Sequence, residues 1–232
     1  MASVARQPTN LRCLASMFWL WDVMRSAVSK RSTKYAQQEV KRILLHLIFE
    51  MRPAHAIWRK AIELVNGHID ILINNAGIYP FGPTNEMTEE QFDQVFSINV
   101  KVPYFLVAEL APLMAKRGKG AIVNLSTMVA DYGAPGMSLY GSSKAAISLL
   151  TKTWAAEYGP RGVRVNAVSP GPTRTEGTDA MGESLGQLAS QAPAGRPATA
   201  DEIAEAIVFL ATDRASFIYG AKIAVDGGRT AI

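Results

Sequence analysis

The sequence predicts an α/β protein built on a doubly wound parallel sheet, and three observations predict it. Short apolar runs recur at 69–73, 121–125, 163–168 and 222–225; the first reads as a strand buried on both faces of a parallel sheet. Stretches of helical periodicity separate the runs, the pattern of consecutive βαβ units. Polar or glycine-bearing segments follow them: Asn74–Gly77, Ser126 and Thr127, Ser169–Gly171, and Asp226–Gly228. Ligands of such sheets bind beyond the carboxyl ends of the strands, so these segments mark one rim.

The elements follow in order. Thr88-Glu-Glu-Gln91 is a capping box that opens a helix running to Lys116, with a break expected near Asn99 and Pro103. Glycines 118 and 120 stop it. Tyr140-Gly-Ser-Ser-Lys144 opens a helix to about Tyr158, ended by Gly159-Pro160. Residues 172–198 are rich in Gly, Pro, Ser and Thr and read as a mobile loop with one short helix. A second capping box, Thr199-Ala-Asp-Glu202, opens a helix to about Thr212.

Residues 1–60 have a different composition. They hold 11 Lys/Arg against 3 Asp/Glu, whereas the rest of the chain holds 13 against 17. All 18 glycines lie at or after Gly67. The expected organisation is therefore a basic N-terminal segment, 1–60, and a globular domain, 61–232. Leu11 to Val28 and Val40 to Met51 show helical spacing and predict two amphipathic helices; Ile43 to Phe49 also reads as a buried strand. The apolar run from Cys13 to Trp21 ends at Asp22, far short of a membrane span. No membrane association is expected. Arg6 and Arg12 with no acidic residue before Asp22 resemble an organelle transit peptide or the front of a secretory signal. The cytoplasm is the expected location and organelle targeting the alternative.

Composition excludes some classes. A single cysteine, Cys13, excludes an internal disulfide. His46, His55 and His68 form no ligand motif, so no metal is expected. The acidic balance of 61–232 argues against a nucleic-acid partner.

Tyr140 and Lys144 lie four residues apart on one helix face. An ammonium beside a phenol favours the phenolate and is expected to lower its pKa from ~10, so that it exchanges a proton near neutral pH. Tyr-x-x-x-Lys alone is a common pattern; the company it keeps makes it specific. Asn74-Asn-Ala-Gly77 follows a strand, Asn99 stands in Ser-Ile-Asn-Val, Thr127 lies thirteen before the tyrosine, Pro170-Gly171 precedes Thr175, and Val225-Asp-Gly-Gly228 closes the chain. In this order and spacing, residues 61–232 resemble the short-chain dehydrogenase/reductase family, 3-oxoacyl-ACP reductase-like members in particular.

The resemblance implies a Rossmann-like domain and an NAD(P)-dependent oxidoreductase acting on an alcohol/carbonyl pair. It implies Tyr140 as the proton donor, Lys144 holding the phenol acidic and binding ribose hydroxyls, Thr127 bonding the substrate oxygen, and Asn99 holding a water that links Lys144 to solvent. Asn75, Ala76 and Gly77 would approach the adenosine side of NAD or NADP, and Gly171, Thr173 and Thr175 would hold the nicotinamide end. A small-molecule alcohol or ketone is the implied substrate, and helices 100–116 and 140–158 imply a homo-oligomer, dimer or tetramer. The simpler readings are Asn99 as a helix-break cap, Thr127 as a strand-end hydroxyl and Pro170-Gly171 as a turn. Tyr79 and Phe81 suggest an apolar or ring-bearing substrate, or a loop-packing role.

Two features depart from the family pattern. Thr127 stands where serine is usual; its methyl stiffens the side chain, and Ser126 is expected to face away. The graver departure is at the front. No glycine precedes Gly67, so the glycine-rich turn that cradles a pyrophosphate is absent, and nothing selects NAD over NADP. The alternatives to an active enzyme are an impaired relative serving as an assembly partner, and a chain whose front half has been replaced.

Overall fold

The computed structural model describes residues 43–45, as backbone, and 69–232. Five parallel strands form one sheet in the order β1 (Ile43–Leu45), β2 (Ile71–Asn74), β3 (Gly120–Leu125), β4 (Val163–Pro170) and β7 (Lys222–Val225). Two short strands, β5 (Thr173–Arg174) and β6 (Ala198–Thr199), pair separately.

Helices cover both faces because alternate strand residues point to opposite sides. On one face, Leu72, Ile122 and Val165 pack with α2 (Val102–Arg117), through Leu106, Leu110 and Met114, and with α3 (Ser138–Tyr158), through Trp154. On the other, Ile73, Val123, Leu125 and Val168 pack with Ile203, Ile207 and Leu210 of α5 (Ala200–Ala211). The parallel α/β fold expected from the sequence is therefore observed. Both capping boxes form: Thr88 with Gln91 opens α1 (Glu89–Phe96), and Thr199 with Glu202 opens α5. Arg164, buried on β4, donates to the carbonyls of Leu210, Ala211, Thr212 and Ala215, satisfying the end of α5.

Three expectations are corrected. Within the second N-terminal run the strand alternative holds over the helix: Ile43–Leu45 is a strand, paired in parallel with Ile71–Ile73. A short apolar run cannot be assigned by periodicity alone, and the sheet supplies a partner for its backbone. The remaining expectations for residues 1–42 and 46–68 lie outside the described residues.

The helix break near Asn99 is instead a wide π turn, Ser97–Lys101, that joins α1 to α2 without interruption. Pro103 has no N–H for the carbonyl of Asn99 four residues earlier. The turn shifts the ladder by one residue, and Val102 N–H bonds the Ser97 carbonyl instead. The resulting helical run Glu89–Arg117 is apolar and long enough to cross a membrane by length and composition, but Leu106, Val107, Leu110, Ala111 and Met114 are spent on the core.

Residues 172–198 hold more structure than one short helix. They carry β5, a 3-10 turn (Glu176–Met181), α4 (Glu183–Ala189) and β6. Pairing of Thr173 with Ala198 and Arg174 with Thr199 ties the base of this excursion together.

Candidate active site

The rim beyond β2, β3 and β4 gathers the candidate residues. β3 ends at Leu125 and delivers Ser126 and Thr127, while α3 returns over the rim and delivers Tyr140 and Lys144. Thr127 is extended and its hydroxyl lies beside the Tyr140 phenol, where a hydrogen bond between them favours the phenolate. Ser126 faces away, as period two requires, and its hydroxyl pairs with Ser148 at 2.7 Å. The choice of Thr127 over Ser126 thus follows from strand geometry.

Lys144 is buried, and its Nζ donates to the Leu125 carbonyl at 2.8 Å. Burial lowers its pKa to about 8. Tyr140 moves the other way: burial first, offset in part by the Thr127 hydrogen bond and reinforced by nearby Tyr79, pushes it up to about 12. The expectation that Lys144 lowers the phenol pKa is therefore reversed here. The ammonium is directed at a backbone carbonyl, and its own charge is penalised by the same burial.

These shifts predict a pH dependence of stability. Folded Lys144 titrates near 8, against 10.5 for the unfolded chain. Between those values the unfolded chain binds more protons, so stability rises with pH from 8 to 10.5. The burden relieved is about 3 kcal/mol, at ~1.36 kcal/mol per pH unit. Tyr140 acts oppositely: the folded chain keeps the proton between 10 and 12, and stability falls across that range. Denaturation midpoints measured from pH 7 to 10 should rise for the parent and stay flat for Lys144→Met.

Asn99 is held tightly. In the π turn its side chain donates to the Ile78 carbonyl (2.9 Å) and to Ser143 Oγ (3.0 Å), and accepts from Ile78 N–H (2.9 Å). It thereby pins the loop that follows β2. Gly77 lies against this pair: a Cβ there would stand 3.1 Å from both Asn99 Oδ1 and Lys144 Nζ. Asn75 is half-buried and Ala76 buried beside it. Gly77, expected toward the adenosine side, is packed against Lys144.

The third segment is committed partly to structure. A Cβ on Gly171 would stand 2.7 Å from Asp226 Cα, so close approach of β4 to the end of β7 already requires glycine. Thr173 donates to the Gly171 carbonyl at 2.9 Å, and Thr175 caps the 3-10 turn with Thr178. A separate cleft of about 470 Å³ lies under this loop, lined by Arg174, Thr178, Glu183 and Pro197 among others.

Some participants escaped sequence reasoning. The Leu125 carbonyl carries no side-chain signal, and Ser143 is one of many helix serines. Asn124 did signal itself, as an amide in an apolar strand: it accepts from Asn74 and donates to Thr151, both at 2.8 Å, fixing β2, β3 and α3 below the site.

The residues present were tested against a nicotinamide dinucleotide. The nicotinamide-ribose end fits: an ammonium with three donors spends one on Leu125, and Gly77 leaves the space beside it unfilled. The pyrophosphate end does not. In doubly wound sheets the strand beside this one carries the glycine-rich turn; here β1 holds that place, and no glycine follows it before Gly67.

The chain matches the family model described as enoyl-(acyl carrier protein) reductase over residues 19–230. It is a short-chain dehydrogenase/reductase. An uncharacterised oxidoreductase of Thermotoga maritima is 42% identical over 188 residues, 78% of this chain and 74% of that protein. The 3-oxoacyl-(acyl-carrier-protein) reductase of the same bacterium is 42% identical over 163 residues, 70% of this chain and 66% of that protein. A solved structure of a short chain dehydrogenase/reductase family protein superposes with a TM-score of 0.69 at 47% identity, covering 75% of this chain and 74% of its own. A gluconate 5-dehydrogenase from Burkholderia cenocepacia, in complex with NADP and tartrate, gives 0.71 at 30% identity, with 75% and 69% covered. As a short-chain dehydrogenase/reductase the chain is of oxidoreductase type.

Proposed function

We propose that this chain is an NAD(P)-dependent oxidoreductase acting on a small-molecule alcohol/carbonyl pair, with Tyr140 as the group that moves the proton. The observation that carries the reading is the meeting, on one strand rim, of the Tyr140 phenol, the Thr127 hydroxyl bonded to it and the buried Lys144 ammonium beside Gly77. A bound reduced nicotinamide would supply the hydride. The chain's own residues handle the proton and the geometry. Tyr140 donates its phenol proton to the substrate oxygen, and the Thr127 hydroxyl, beside the phenol, turns its single O–H to the substrate oxygen when substrate is bound. Lys144, held by the Leu125 carbonyl, offers its remaining donors to the ribose hydroxyls, and Asn99, its side-chain donors spent on Ile78 and Ser143, keeps only carbonyl oxygens to accept from the water that would link Lys144 to solvent. Thr173 and Thr175 stand at the nicotinamide end, with Gly171.

A phenol near 12 is protonated throughout the physiological range. The phenol thus carries the proton that reduction of a carbonyl consumes, and a group that lowers its pKa toward neutrality would speed the transfer. Helices α2 and α3, with Phe105, Leu113 and Leu149 exposed, supply a face for a homo-oligomer.

A second reading is favoured by one specific observation. With no glycine between β1 and Gly67, the usual glycine-rich turn for the phosphates is missing, and on this reading the chain is an impaired relative that holds the cofactor weakly or serves as an assembly partner. One titration separates the two. NADH and NADPH are added to purified protein and nicotinamide fluorescence is followed. Saturable binding below millimolar concentration supports the enzyme; absence of saturation at millimolar cofactor eliminates it.

A further inference from the structure

The loop after β2 does more than follow the cofactor segment. Its base is clamped: Asn99 bonds both backbone groups of Ile78, and Gly82 N–H bonds the Gly136 carbonyl at 3.0 Å. Phe81 lies over Gly136, where a Cβ would meet its ring at 2.7 Å. Between these anchors stands Tyr79. Its ring meets the Tyr140 ring edge-on, centroids 5.9 Å apart at 60°. Its hydroxyl reaches across and donates to the Gly177 carbonyl at 2.9 Å. Gly177 belongs to the 3-10 turn Glu176–Met181, held from behind by Thr175 and Thr178. A Cβ at 177 would stand 2.6 Å from the Tyr79 hydroxyl, so a side chain there would push the hydroxyl off the crossing bond.

We propose that Tyr79 is a positioning and specificity-determining residue: a strap that joins the 77–82 loop to the 176–181 turn over Tyr140 and selects ring-bearing ketones. This rests on the oxidoreductase reading of the same site. The geometry gives the strap two functions. Its ring forms an aromatic wall beside the reacting phenol, and flat apolar rings pack favourably against such a wall. Its hydroxyl sets how far the 176–181 turn stands from that wall. The crossing bond is solvent-exposed, hence weak enough to open for entry and reform behind the substrate. Tyr79 itself touches no reacting atom in this account; it acts by placing the substrate against Tyr140.

The test has two arms on the full chain. The first is hydrogen–deuterium exchange, read by mass spectrometry on peptides covering 176–189 in the cofactor-free protein. Tyr79→Phe should speed exchange there about fivefold, the equivalent of one net hydrogen bond, and leave β3 and β4 unchanged. The second is steady-state reduction of cyclohexanone and of acetone with NADH or NADPH. Tyr79→Phe should raise the KM for cyclohexanone about fivefold with kcat within about twofold; Tyr79→Ala should remove the preference for cyclohexanone over acetone. Unchanged exchange in Tyr79→Phe, or an unchanged preference in Tyr79→Ala, overturns the strap. So does a fall in kcat at constant KM, which would assign Tyr79 to the chemistry. A parent that binds neither cofactor refutes the oxidoreductase reading instead, and the exchange arm then decides the strap alone.

Discussion

Tyr140→Phe is expected to lower kcat by about 10³-fold, the middle of the range that a positioned acid contributes, and to leave the cofactor dissociation constant within about threefold. The substitution removes one oxygen and keeps the ring that packs edge-on against Tyr79. What disappears is the phenol proton that Tyr140 would give, together with the oxygen that Thr127 bonds. The stability cost is small, about 1 kcal/mol for the lost hydrogen bond, because the site is half-buried and the Thr127 hydroxyl can rotate. Stopped-flow and steady-state rates on one preparation, with fluorescence titration of the cofactor, separate chemistry from binding. A Phe variant that retains a tenth of the parent rate would remove Tyr140 from the proton-donor role. The parent should also show its reductive activity greatest below pH 8 and declining above it, as Lys144, lowered to about 8, loses its charge.

Gly77→Val carries the second large effect. Even a single Cβ would stand 3.1 Å from Lys144 Nζ and 3.1 Å from Asn99 Oδ1. Neither neighbour is free to retreat: Lys144 is held by the Leu125 carbonyl, and Asn99 by Ile78 and Ser143. The two further methyl groups of valine must displace the ammonium or open the loop. Turnover should fall about 10²-fold, as expected when a small displacement moves a catalytic group, and stability should fall by about 1–3 kcal/mol from overpacking. Gly77→Ala should lie between parent and valine. Equal kcat/KM for all three would show that Lys144 need not stay where the structure holds it.

The catalytic rim was legible because its chemistry is local. Tyr140 and Lys144 share a helix turn, and the count of thirteen to Thr127 spans one loop between β3 and α3. The phase of a strand sufficed to set Thr127 toward the phenol and Ser126 away from it. The capping boxes at Thr88 and Thr199 were legible for the same reason, since each is satisfied within four residues. The direction of the Tyr140 shift was not. Spacing says that an ammonium is near; it does not say that a carbonyl at Leu125 claims that ammonium, or that burial outweighs the charge. The break foreseen at Asn99 became a π turn because helix packing on both sides keeps the chain helical through Pro103.

The sequence by itself determined the fold class, the candidate residues for proton transfer and the want of glycine before Gly67. All three depend on residue type and spacing along a short stretch of chain. Only the tertiary structure decided that Ile43–Leu45 is a strand of the sheet, that Gly77 serves Lys144, and that Tyr79 crosses to Gly177. Each of those joins segments separated by 28 to 98 residues, and such contacts are set by how strands stack and where their ends fall. Periodicity does not encode that arrangement; the packed sheet imposes it.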